Sequence, residues 1–119
     1  MHERYRLCTV HRSLVIPLNM YDNVIHKKER AMVYFDDLIW DDWNEGHIAR
    51  HNVTPAEVEE VTANRPFTTR GRKDRYRLIG QTDSGRLLTV IVAPRGSGIA
   101  YVLTAREATR EERRAYQQH

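Results

Sequence analysis

From Val33 onward the hydrophobic pattern changes period several times, and each change predicts an element. Val33 to Trp40 is rich in β-branched and aromatic residues and is interrupted by Asp36-Asp37, which predicts an edge strand or a bent one. Asp41 or Asp42 then caps a short helix. On it Trp43, His47 and His51 recur four apart along one face with Ile48 beside them, so this helix is expected to dock on the sheet, with His47 at its inner edge. Asn52 suits the left-handed conformation that stops a helix, and Thr54-Pro55-Ala56-Glu57 supplies a capping box with proline at the first helical position. In this second helix Val58 and Val61 face inward, Glu57, Glu59 and Glu60 face outward, and Asn64-Arg65-Pro66 ends it.

A strand period takes over at Arg75 to Gln81, with Tyr76 and Leu78 on one face and Arg75 and Arg77 together on the other, expected to be solvated. Asp83-Ser84-Gly85 makes a turn, and Leu87 to Ala93 is a nearly continuous apolar run, the pattern of a central strand buried on both faces. Pro94-Arg95-Gly96-Ser97-Gly98 forms the next hairpin, and the chain returns as Ile99 to Ala105. Thr109 with Glu112 is a second capping box, opening a helix made basic by Arg110, Arg113 and Arg114. The expected fold is therefore α+β: a three- or four-stranded antiparallel sheet packed against two N-terminal helices and flanked by a C-terminal helix.

Residues 1 to 31 have no sustained period and carry the basic stretch His26-Lys27-Lys28-Glu29-Arg30. They read as a poorly ordered leader, or as residues upstream of a true start at Met32, with a basic arm that folds on RNA or protein as the alternative. Residues 32 to 119 form the domain. A chain of 119 residues suits one domain with a modest core. Its only cysteine, Cys8, makes no internal disulfide, which fits a reducing cytosol. The run Leu14-Val15-Ile16 is broken by Pro17 and is too short for a signal or membrane segment, so no membrane partner is expected.

Charge changes the picture more. The net charge of +3 says little, but its distribution is uneven: residues 35 to 64 carry eight acidic side chains and one basic, residues 65 to 94 seven basic and two acidic. Arg70, Arg72, Lys73, Arg75 and Arg77 concentrate on one loop and strand, where they are positioned to track successive phosphates. The plainer reading is complementarity between this face and the chain's own acidic helices. Tyr76, alternating with the arginines, is assigned to the core rather than to base stacking.

Metal-free RNA cleavage needs a group to take the 2′-hydroxyl proton, cations for the developing charge and an acid for the 5′-oxygen. His51 is the titratable candidate near neutrality, ahead of His47. Arg75, Arg77 and Arg106 are the candidate charge stabilisers. A histidine at a helix end also commonly caps a carbonyl or packs on a tryptophan. Other chemistries fit poorly. His47 and His51 have zinc-pair spacing without a third ligand or the glutamate of a metalloprotease, so neither metal nor cofactor is expected. The glycines of residues 94 to 98 lack a P-loop lysine, and Ser84 and Ser97 belong to turns.

The string Trp40-Asp41-Asp42-Trp43-Asn44, followed by His47-Ile48-Ala49-Arg50-His51-Asn52-Val53, then Thr104-Ala105-Arg106, Arg113 and Tyr116, resembles the BrnT family of small bacterial toxins over roughly residues 33 to 118. The resemblance implies a RelE-like ribonuclease toxin, neutralised by a ribbon-helix-helix antitoxin that covers the basic surface and through which oligomers form, the pair repressing its own operon. His51 coincides with the family's helical histidine. Arg50 and Asn52 stand where the family commonly has lysine and glycine; Arg50 keeps the charge and Asn52 keeps the left-handed cap. With His51, Arg75, Arg77 and Arg106 as catalytic candidates, Arg50, Arg70, Arg72, Lys73 and Arg113 are the expected RNA contacts. A non-catalytic module that binds nucleic acid or protein through the same basic sheet is the alternative.

Overall fold

The computed structural model describes residues 6–9 and 34–119. Its elements are β1 (Arg6–Thr9), β2 (Asp37–Trp40), α1 (Asp42–Ala49), α2 (Pro55–Ala63), β3 (Phe67–Arg70), β4 (Tyr76–Gln81), β5 (Leu87–Pro94), β6 (Ile99–Glu107) and α3 (Arg110–Gln118). The α+β class and the order of the helices are as expected, but the sheet is larger and mixed. Its six strands run β1-β2-β6-β5-β4-β3, and β2 pairs with β6 in parallel. Three differences separate it from the expected sheet, the first two with a physical cause. The strand at 33 to 40 shortens to Asp37–Trp40, because the Asp36 and Asp37 N–H groups both donate to the Gly98 carbonyl (2.8 and 3.0 Å). Strand β3, Phe-Thr-Thr-Arg, is too short and too polar to raise a periodic signal, yet it pairs with β4 in register. From the leader, β1 lies antiparallel on β2; the other leader residues, with Met32 and Val33, fall outside the described residues.

Side-chain alternation gives the sheet two unlike faces. On the first, Leu38, Trp40, Leu78, Leu88, Val90, Val92 and Val102 meet Ile48 of α1, Val58 and Val61 of α2 and Val53 between them, forming the main core. The helix α2 comes close enough that Gly80 has no room for a side chain: a Cβ there would sit 3.1 Å from Pro66 Cβ and 3.3 Å from Val61 Cγ1. On the second face α3 crosses the sheet, and this explains another departure. The β4 face carrying Arg77 is not simply solvated, since Ile79 on that same side is buried. The run Leu87 to Ala93 is fully buried from Leu88 to Val90, whereas Ile91 and Ala93 on the second face are partly exposed. Opposite the Ile91/Val92 step the register shifts, Ile91 pairing with Thr104 and Val92 with Val102, so Leu103 is an extra residue in β6.

The helix caps follow the sequence. Thr54 with Glu57 and Thr109 with Glu112 form capping boxes, and Asn52 is left-handed at φ 61°. Asp41 caps α1 in a box completed by Asn44. The face of α1 that docks is not the expected one: Asn44 and Ile48 are buried, whereas Trp43 is 59% exposed. Asn44 is fully enclosed, and its Nδ2 donates to the carbonyls of Ile39 (2.9 Å) and Val102 (3.0 Å), one from each strand of the parallel pair. The side chain thus clamps β2 to β6 beneath α1. Asn44→Ala is expected to lower unfolding stability by about 2 to 3 kcal/mol, because two enclosed carbonyls lose their donor. Urea unfolding with an unchanged m-value checks this; a loss under about 1 kcal/mol would show that the clamp is dispensable.

Candidate functional site

The second face of the sheet gathers charge around one carboxylate. Glu112 enters α3 as the third residue of its first turn, where the Thr109 hydroxyl receives its N–H and its Oε1 accepts from the Thr109 N–H (2.8 Å). Its side chain is only 8% exposed. Arg106 of β6 grips it with both terminal nitrogens, Nη1 to Oε1 at 2.8 Å and Nη2 to Oε2 at 3.0 Å. Thr89 of β5 donates its hydroxyl to Oε1 (2.8 Å), and Arg77 of β4 reaches Oε2 at 3.4 Å. Burial alone would raise the Glu112 pKa, but the hydrogen bonds from Arg106, the Thr109 backbone and Thr89, with the Arg106 charge, hold it down at about 2. The Glu112 hydrogen bond in turn raises the Arg106 pKa. Near neutrality the group is a fixed ion cluster: two guanidinium groups, one carboxylate, net charge +1. Arg106 has spent its bidentate fork on Glu112, while Arg77, with a side chain 43% exposed, keeps donors free for a ligand.

Of the four catalytic candidates the structure brings together two. Arg77 and Arg106 meet at Glu112. Arg75 lies just before β4, exposed, at the end of a turn closed by its N–H to the Arg72 carbonyl (3.1 Å). His51 is on the other side of the sheet, past the C-terminal end of α1, where its ring meets His47 edge-on at 5.7 Å and His47 stacks on Trp43 at 4.9 Å. The Trp43-His47-His51 row is thus an exposed aromatic stripe rather than a docking face. The expected RNA contacts also divide. Arg50 is exposed on the His51 side and Arg113 on α3. Arg72 and Lys73 occupy the β3–β4 turn, while Arg70 pairs with Asp74 (3.2 Å) and sits 5.8 Å from the Tyr76 ring centre. Tyr76 packs edge-on to Phe35, as its core assignment requires.

Among the ion pairs of the described residues, Arg86 realises the complementarity between basic residues and the acidic helices. It donates to Glu57 of α2, Glu107 of β6 and the Asn52 carbonyl (2.8 to 3.2 Å), joining α2 and the loop before it to the sheet. Among the described residues no ion pair engages Arg72, Lys73, Arg75 or Arg95, so the basic turn is not consumed internally. Sequence reasoning passed over two residues of this surface. Glu112 was visible only as a cap, and nothing local signals that its carboxylate also binds β5 and β6. Tyr101 donates its hydroxyl to the Asp41 carboxylate (2.9 Å); burial first, then that hydrogen bond, raise its pKa to about 12. No group of three or more His, Cys, Asp or Glu side chains among the described residues is arranged to hold a metal ion. Nor is any of their helices long and apolar enough to cross a membrane.

A small α+β domain that presents an arginine-rich sheet face crossed by its last helix is the class these observations define. The family model of the ribonuclease toxin BrnT, of type II toxin-antitoxin systems, matches residues 40–112, running from the last residue of β2 to Glu112, and the chain belongs to that family. RNA as substrate class and an antitoxin as partner follow from that membership. The crystal structure of the Brucella abortus ribonuclease toxin BrnT is similar at 23% identity, over 67% of this chain and 100% of that one, with a TM-score of 0.49. No curated protein matches.

The low pKa of Glu112 has a consequence for stability. A carboxylate depressed from 4.5 to about 2 stabilises the fold fully above its unfolded value and loses that contribution as pH falls toward 2. Glu112→Gln is therefore expected to cost on the order of 2 to 3 kcal/mol near neutrality and to flatten the decline in stability between about pH 5 and pH 2. Chemical unfolding across that range reads both; an acid limb as steep in the variant as in the parent would place the linkage on other carboxylates.

Proposed function

We propose that this chain is a metal-independent endoribonuclease toxin that acts in the cytoplasm and cleaves RNA by attack of a 2′-hydroxyl on the adjacent phosphate. The observation that carries this reading is Arg77, half-exposed on the sheet, its guanidinium held by a permanently ionised Glu112 beside Arg106. In-line attack forms the 2′-oxygen to phosphorus bond and breaks the phosphorus to 5′-oxygen bond. It leaves a 2′,3′-cyclic phosphate and a 5′-hydroxyl, and the proton lost by the 2′-oxygen is balanced by the one the 5′-oxygen gains. The nucleophile belongs to the RNA, so no metal is required to generate it. The protein's task is to stabilise charge on the phosphoryl oxygens, and a preoriented guanidinium does that without reorganising. Arg77 is the first charge stabiliser, Arg106 fixes its frame through Glu112, and Arg75, one turn end away, adds charge to the approach.

His51 was the candidate base, but its position across the sheet from Arg77 and Arg106 favours a different division of labour. Cleavage then rests on electrostatics, with proton transfer through solvent, and His51 and Arg50 belong to a separate surface. The neutralising partner fits a ribbon-helix-helix antitoxin that covers the basic face and brings toxins together as oligomers. A non-catalytic binding module on the same surface is the competing function.

Incubating the protein with a structured RNA and a matched DNA in excess chelator decides between them, and cut RNA with intact DNA is the expected result. Arg77→Ala should slow cleavage by about 10²-fold, the usual cost of removing one donor to a developing oxyanion. His51→Ala should change it by less than about threefold, and the rate should show no break across roughly pH 5 to 8, where a histidine base would titrate. Abolition of cutting by His51→Ala with the fold intact would restore the histidine as base. Intact RNA that nonetheless binds in a salt-sensitive way would replace the enzyme with the binding module.

A further inference from the structure

At the end of the sheet remote from Arg106, the β3–β4 and β5–β6 turns enclose a groove of about 330 Å³ lined by Lys73, Asp74, Tyr76, Ala93, Pro94 and Arg95. Its size falls at the lower end of the ~300 to 1,000 Å³ typical of small-ligand sites. Half-buried Tyr76, Ala93 and Pro94 line it at the strand ends, with Arg70 over the Tyr76 ring, and Lys73 and Arg95 bring two cations with no carboxylate partner among the described residues. The only acid in the lining, Asp74, is already paired with Arg70.

The turn that supplies Lys73 and Asp74 is unusual. Arg72 to Arg75 closes by the Arg75 N–H to Arg72 carbonyl bond, and both central residues have positive φ, 52° and 58°. A tight turn with two left-handed positions ordinarily carries asparagine and glycine. Lysine and aspartate there cost conformational energy, and strain of this kind collects at ligand clamps. On the other side, Arg95 lies over the Tyr101 ring at 5.3 Å, which limits where its guanidinium sits.

We propose that this groove is a nucleotide subsite for single-stranded RNA, with a nucleotide seated between the two turns and its flanking phosphates on Lys73 and Arg95. The inference rests on the ribonuclease reading and extends it: the chain holds its substrate at a point separate from Arg77. A nucleotide combines a planar base with an anionic linker, and the groove combines partly apolar walls with two cationic rims.

The test uses a fluorescein-labelled, 2′-O-methylated RNA of about ten nucleotides, a length within single-strand site sizes. It binds without being cut, and its anisotropy is followed between about 50 and 200 mM salt. The double variant Lys73→Ala/Arg95→Ala is compared with Arg110→Ala/Arg114→Ala, which removes equal charge from the exposed face of α3. The groove variant should bind about tenfold more weakly at low salt, and its slope of log affinity against log salt should fall by about 1.4, as for two single-strand phosphates. The α3 variant should change little. Equal losses in the two variants, or an unchanged slope in the groove variant, would overturn the subsite. If the parent protein still cuts unmodified RNA in that case, the ribonuclease reading stands without the subsite; a parent that neither binds nor cuts RNA removes both.

Discussion

The second face of this protein is organised by one buried carboxylate. Glu112 serves at once as the N3 residue of the α3 capping box and as the shared acceptor for Arg106, Thr89 and Arg77, so a single side chain joins α3 to strands β4, β5 and β6. A carboxylate this enclosed would be costly if any partner were missing, since the attraction of one cation rarely repays full desolvation. Here both oxygens are occupied by charged or hydroxyl donors and a backbone N–H. The position of α3, the conformation of Arg106 and the pose of Arg77 are therefore set together. Within the helix Glu112 is the only buried residue, and past its C-terminal end the His119 ring stacks on Tyr116 and meets Phe67 of β3.

Division of the sheet into two faces follows from this. The face under α1 and α2 is an ordinary hydrophobic core, where Leu38, Trp40, Val90 and Val102 are excluded from water and Asn44 satisfies two interstrand carbonyls. The apolar core lies there. The other face is polar where α3 crosses it and partly exposed beyond, through Ile91, Ala93 and Tyr101. Arg86 belongs to the first face, where Glu57 and Glu107 occupy it, and Arg77 to the second, where half its surface remains open. Arginine is thus used in two ways that composition alone does not separate.

The sequence made local features readable and non-local ones invisible, and particular residues show why. Thr54 with Glu57 and Thr109 with Glu112 announce helix starts because a capping box is complete within four residues. The β4-β5-β6 meander was legible because apolar runs alternate with glycine-bearing turns. Pairing β2 with β6 in parallel joins residues about sixty positions apart, and no local pattern encodes it. The dispersed family residues were legible, and the match over 40–112 accords with them. Which side of α1 faces inward was misread for a physical reason. Trp43, His47 and His51 form the more apolar-looking row, yet the sheet offers α1 two carbonyls to satisfy, and Asn44 rather than Trp43 meets that need. The site suffered similarly: Arg75 and Arg77 share parity, but the end of the strand separates a turn residue from a sheet residue.

A charge-based site suits a domain this small. General-base catalysis asks for a titratable side chain placed at the reacting hydroxyl, and His51 lies across the sheet from Arg77 and Arg106. Guanidinium groups are charged at any physiological pH and need only to be oriented, and orientation is what Glu112 provides at little volume. Because that carboxylate ionises near pH 2, the frame holding Arg106 and Arg77 does not change charge anywhere near neutrality. In the proposed mechanism the chemistry of the nucleophile belongs to the RNA, and the protein supplies the placement of positive charge. The same arrangement exposes it to control, since any partner whose acidic groups occupy the open donors of Arg77 withdraws the first charge stabiliser of the proposed reaction.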